Sequence, residues 1–145
     1  MEDFNVSPIL VEDLQAITYE NNFISIGYNS QGYFFINKSS KRISIYFDDI
    51  QYDPAGVFIL KSNGVYGLAN VFGDVILKPH YLVIDNFREN VARVKEGNYW
   101  GFVDIEGNTI VKPMYNNVGH FYNGVAEVSM ALIQYRSNIV SCFSS

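Results

Sequence analysis

The sequence predicts an all-β fold of tandem units, and three observations carry that prediction. The first is an internal period of about 34 residues. The second is an aromatic content of 16%, with 11 Tyr and 11 Phe, a bias that suits the pleated, half-buried surface of a sheet. The third is the recurrence of Gly, Asn and Pro at fixed points between short β-branched and aromatic runs. Together they predict units of roughly three antiparallel strands, stacked as an open solenoid-like or curved sheet assembly. Propeller-like closure is the alternative architecture.

The period is read directly. Laid over residues 98–129, residues 64–95 match without a gap at Gly67/Gly101, Gly73/Gly107, Ile76/Ile110, Lys78/Lys112, Pro79/Pro113 and Tyr81/Tyr115. The match continues through Phe87/Phe121, Val91/Val125, Ala92/Ala126 and Val94/Val128. The same offset reaches backward: Val125, Val91, Val57 and Phe23 share one column, and Gly124, Asn90, Gly56 and Asn22 stand just before them. Gly and Asn accept a left-handed backbone most cheaply, so this column reads as a turn feeding a strand. The 145-residue chain is thus read as one domain. It divides into a partial repeat (13–26), a degenerate repeat (27–61), two repeats (64–97 and 98–131) and a worn strand or tail (132–145). A helical turn around Pro8 to Leu14 is a competing reading of the start.

In the best copy, Tyr99 to Ile105 is a strand, Glu106-Gly107-Asn108 a turn, and Thr109 to Lys112 the return strand. Pro113 is expected to end that hairpin, since proline cannot donate to a ladder. A crossover anchored by Phe121 then leads through Gly124 into a third strand, Val125 to Met130. Alternation puts Gly101, Val103 and Ile105 on one face and Trp100, Phe102 and Asp104 on the other. Both faces are largely apolar, so neighbouring units must cover both. Gly67 and Gly101 are expected to let a neighbouring strand or ring approach closely. In the degenerate copy, Tyr33 to Asn37 sits one residue out of the spacing, and Gln134 and Tyr135 stand where Trp-Gly would recur.

These residues resemble the bacterial WG (or KWG) repeat. Tyr99-Trp100-Gly101-Phe102-Val103-Asp104 carries the signature, followed by Ile110-Val111-Lys112-Pro113 with Tyr115, and by Phe121 with Gly124-Val125-Ala126. The copy at 64–95 has Tyr66 in place of Trp. The resemblance implies a β-rich interaction module with no shared catalytic residues.

Charge and motifs narrow the function classes. A net charge of −5 argues against a partner bound through its phosphate backbone, so no nucleic acid is expected. No apolar stretch is long enough to span a membrane as a helix, and no leader pattern opens the sequence. The single Cys142 has no internal disulfide partner, so a cytoplasmic setting is the default. His80 and His120 do not recur between copies and lack metal-ligand or triad spacing. Asp48, Asp49 and Asp53 lack the glycine and terminal glutamate of a calcium loop. Neither enzyme activity, a cofactor nor a metal is expected. The leading expectation is a non-enzymatic scaffold binding a protein partner through an extended surface, with an immunity- or inhibitor-like role as one form. The alternative is glycan or cell-surface binding through repeated aromatics. The binding candidates are Tyr66, Tyr81, Trp100 and Tyr115, whose competing role is to weld one unit to the next. The structural repeat positions are Gly67, Gly101, Pro79, Pro113, Phe87, Phe121, Gly56 and Gly124.

Overall fold

The structure, a computed structural model, describes residues 9–10, 13–130 and 137–141. Every regular element among them is a β-strand. Four antiparallel sheets follow one another along the chain. Sheet I contains β1 (Ile9–Leu10), β2 (Ala16–Glu20), β3 (Ser25–Asn29), β4 (Gly32–Ile36) and β5 (Lys41–Arg42), in spatial order β1-β5-β4-β3-β2. Sheet II is the meander β6 (Asp49–Asp53), β7 (Val57–Ser62), β8 (Val65–Ala69) and β9 (Val75–Tyr81). Sheet III repeats it with β10 (Val83–Ile84), β11 (Val91–Glu96), β12 (Tyr99–Asp104) and β13 (Thr109–Tyr115). Sheet IV comprises β14 (Asn117–Val118), β15 (Val125–Ser129) and β16 (Ser137–Ser141). None of the sheets closes into a barrel.

Each seam between consecutive sheets is a separate hydrophobic core. Ile26 and Phe35 of sheet I meet Phe58 and Leu60 of sheet II. Val57 and Leu68, on the opposite face of sheet II, meet Ala92, Val94 and Val103 of sheet III. Val91 and Phe102 meet Phe121, Ala126 and Val128 of sheet IV. Alternation therefore serves two seams at once: Phe102 and Val103 are adjacent, fully buried, and belong to different cores. Among the described residues no apolar cluster joins sheet I to sheet IV, so the array is open.

The fourth strand comes from the crossover. Only Leu82 separates β9 from β10, and only Asn116 separates β13 from β14. The last strand of one sheet thus continues almost directly into the first strand of the next. The amides of Asp48, Leu82 and Asn116, one period apart, donate to the carbonyls of Lys61, Lys95 and Ser129 at 2.8, 2.8 and 2.9 Å. The sequence repeat and the sheet share a period but differ in phase. Residues 64–97 supply β8 and β9 to sheet II, then β10 and β11 to sheet III.

Pro79 and Pro113 do not end their strands, as the missing amide suggested. Both lie inside edge strands, β9 and β13, where no outer neighbour needs the N–H. They sit in bulges: Trp100 faces Tyr115 while Phe102 faces Val111, so the edge strand carries two extra residues there. The bulged backbone lies across Gly101. A Cβ at that glycine would stand 2.3 Å from the Val111 carbonyl oxygen, and at Gly67 it would stand 2.2 Å from that of Leu77. The glycine of the Trp-Gly pair is therefore required by the proline bulge beside it.

The turn column holds for three of its four members. Gly56, Asn90 and Gly124 have φ of 103°, 65° and 82°. Asn22 is not left-handed; there the Oδ1 of Asn21 accepts from the amides of Phe23 and Ile24 at 2.7 and 2.8 Å and shapes the turn instead. In sheet I the glycine column is occupied by Phe34, and no long edge strand forms over it; the hydroxyl of Ser44 accepts the Phe35 amide at 2.8 Å. Ile9 and Leu10 are extended rather than helical. Cys142, Gln134 and Tyr135 lie outside the described residues, whereas Ser137–Ser141 pairs with β15 along its whole length.

Candidate binding groove

The hairpins and turns that frame the seams are held by side chains the repeat spacing alone did not expose. In the β8–β9 hairpin, Asn70 Oδ1 accepts from the amides of Phe72 and Asp74, both at 3.0 Å. One period later, Asp104 Oδ1 accepts from Glu106 and Asn108, both at 2.9 Å. Consecutive units are then tied by carboxylates. The buried Asp53 accepts from Ala55 at 2.9 Å and, 34 residues on, from Phe87 at 3.1 Å. Glu89, itself left-handed at φ 55°, accepts from Asn123 at 2.7 Å and Gly124 at 2.8 Å. The signal for these ties was available as pairs one period apart, but the partners differ in residue type, so an identity search passes over them.

Between these ties the seam of sheets II and III opens into a groove of about 1040 Å³. One wall is β6, with Asp49, Gln51 and Tyr52, backed by Ile59, Lys61 and Tyr66. The other is the segment from Leu82 to Asn90. A smaller groove of about 310 Å³ lies on the far side of β6, between Thr18 and Tyr19 of β2 and the same Asp49–Tyr52 stretch. β6 is thus a ridge between two furrows. Tyr52 stacks on Tyr19 with centroids 4.8 Å apart, which fixes the ridge against sheet I. Asp48 accepts the Asn63 amide at 2.8 Å and Asp49 accepts from the Gln51 side chain at 3.0 Å, so the acidic run serves local structure.

The corresponding place in the seam of sheets III and IV holds Arg93. Arg93 donates from Nε to Asp85 at 3.0 Å and from Nη1 to the Val118 carbonyl at 3.1 Å. Its guanidinium lies 5.3 Å from the Trp100 ring centroid, and Lys95 stands 5.7 Å from the same ring. Partial burial pushes the Asp85 carboxyl upward, but the bonds from Arg93 and the Asn86 amide, with the charge of Arg93, outweigh it and hold Asp85 below its ordinary range. His120 is held below its ordinary value by burial first, then by the charges of Arg93 and Arg88. His80 is exposed and packs against Tyr81 with centroids 3.9 Å apart.

The four aromatic candidates sit in the seams. Tyr66 pairs across the strands with Tyr81, and Trp100 with Tyr115. Tyr81 is buried, and its hydroxyl meets Thr109 of the next sheet; burial raises its pKa, with the Thr109 bond opposing. Trp100 and Tyr115 are half-buried against the third core, and Tyr66 is half-buried in the wall of the larger groove. They do not form an exposed ladder of ring faces. Phe121 is buried and Phe87 half-buried at the corresponding crossover positions.

No curated protein matches the chain. Among solved structures, Kluyveromyces lactis Hsv2 superposes with a TM-score of 0.46 at 12% identity, over 84% of this chain and 43% of that one. KlHsv2 with loop 6CD replaced by a Gly-Ser linker gives a TM-score of 0.43 at 12% identity, over 82% and 45%. The chain spans less than half the length of either. No described helix is long and apolar enough to cross a membrane. Residues 66–100 and 100–131 each match the WG containing repeat. The stretch from 66 to 131 is therefore two adjacent WG repeats, and the chain is identified as a carrier of that β-repeat.

Proposed function

We propose that this chain is a non-enzymatic scaffold that holds an extended segment of a protein partner along the β6 ridge, in a cytoplasmic setting. The observation that carries the reading is the groove between sheets II and III, whose walls combine the ring of Tyr66, the stem of Lys61 and the exposed side chains of Gln51 and Leu82. An open furrow of that volume beside an edge strand suits an extended peptide. The carboxylates of Asp53 and Glu89, in its wall, are engaged by backbone amides of the chain itself, which supports a binding role over acid–base chemistry. An immunity- or inhibitor-like role is one form such binding takes, in keeping with the small size and net charge of −5. The placement of the four aromatics in seams weighs against glycan stacking.

A photo-crosslinking residue at Gln51, used in native lysate, tests this. Reproducible covalent adducts with one protein at position 51, absent when the residue is placed at exposed Lys112 on β13, are expected. Equal labelling at both positions, or no adduct at 51, would overturn the proposal.

A further inference from the structure

We infer that the groove between sheets II and III is a receptor for an arginine side chain of the protein partner. This rests on the binding role proposed above and names its chemistry. Shifted by one period of 34, Lys95 becomes Lys61, Trp100 becomes Tyr66, Val118 becomes Ile84, and Arg93 becomes Ile59. Lys61 stands 5.7 Å from the Tyr66 ring, the same distance at which Lys95 stands from Trp100. The lysine, the ring and the residue supplying the carbonyl are thus all retained. The guanidinium is missing, and with it the carboxylate of Asp85, replaced by Gln51; Ile59, Tyr66 and Ile84 all line the groove.

The seam of sheets III and IV shows what such a site accepts. Arg93 lies over the Trp100 face beside Lys95, so a neighbouring lysine does not prevent a guanidinium from stacking there. A planar, weakly hydrated guanidinium stacks on a ring and donates to a carbonyl at once, which an ammonium does less well. The acid that anchors Arg93 is Asp85, whose counterpart is Gln51; in the open groove Asp49, bonded to Gln51, supplies the negative charge from the same wall. The chain's overall charge of −5 favours approach of a basic segment.

The test uses the full chain and the peptide acetyl-Gly-Gly-Arg-Gly-Gly-amide, with lysine and citrulline peptides as comparisons. Binding is followed by amide shifts of Tyr66, Ile84 and Phe87. The arginine peptide is expected to bind about tenfold more tightly than the citrulline peptide, which keeps the shape but not the charge. Ile59→Arg, which supplies the guanidinium in cis as β11 does, is expected to abolish binding, and Ile59→Leu to retain it. Equal binding of arginine and citrulline peptides, or undiminished binding to Ile59→Arg that is shown to be folded, would overturn the inference. If the peptide fails to bind while crosslinking at Gln51 still captures a protein, the arginine inference falls and the scaffold reading stands; loss of the adduct at Gln51 removes both.

Discussion

Replacing Gly101 by alanine places one methyl group against the backbone of the neighbouring edge strand. The new Cβ would stand 2.3 Å from the Val111 oxygen, 2.7 Å from the Lys112 carbonyl carbon and 2.7 Å from the Pro113 nitrogen. All three are main-chain atoms, so no rotamer change relieves the clash. Overpacking of this kind costs about 1–3 kcal/mol. Displacing the bulge also weakens the Trp100–Tyr115 and Phe102–Val111 pairs, at roughly 0.2–1 kcal/mol each. Gly101 does not have positive φ, so alanine also gains up to about 1 kcal/mol by restricting the unfolded chain. The net expectation is a loss of about 2–4 kcal/mol, read as a fall of roughly 1–2 M in the urea midpoint. Gly97 is the control. It has φ 60° with nothing within 4 Å of a built Cβ, so its cost is conformational alone. Asparagine tolerates that backbone, so Gly97→Asn should be nearly neutral whereas Gly101→Asn should be as damaging as alanine or worse. A Gly101→Ala protein within about 0.5 kcal/mol of wild type would refute the claim that the bulge demands glycine.

Two further outcomes follow from the ties between sheets. Glu89→Ala should cost about 1–3 kcal/mol and speed hydrogen exchange at the Asn123 and Gly124 amides, which lose a shared carboxylate acceptor; unchanged protection there would show that the tie carries no energy. Acid should weaken the fold in two stages. His120 is held below its ordinary 6.5, so stability present above that pH is lost as the imidazole is forced to protonate, and His120→Asn should remove this stage. Asp85 is held below its ordinary 3.8, so its contribution is full above that value and lost below it, and Asp85→Asn should remove the second stage. Urea midpoints measured at pH about 7.5, 5 and 2.5 separate the two, and a wild-type midpoint flat across that span would contradict both.

The period, the strand hairpins and the need to cover both strand faces were legible because they rest on residues whose backbone or packing constraints are local. Gly101 reads as a close approach from its place after an aromatic. Pro113 reads as a strand end because the missing amide is visible in sequence, whereas the edge position that makes it harmless is a property of the whole sheet. The two-residue strands Val83–Ile84 and Asn117–Val118 are too short to show alternation, so the first strand of sheets III and IV was hidden in a crossover. The groove was hidden for a different reason: Ile59, in its wall, stands in the column that holds Arg93 one period later, and a substitution within a column looks like decay until its surroundings are seen.

The phase difference between repeat and sheet makes the backbone behave as a clasp. The turn at Gly97 and Asn98 is exposed, and a protease cutting there would sever β11 from β12 in the middle of sheet III. Each product would carry half of that sheet, and the cut would part Val103 from Val94 in the second core and Val91 from Phe102 in the third. The nicked halves should therefore remain joined as a non-covalent complex, so that integrity of the assembly outlasts integrity of the chain.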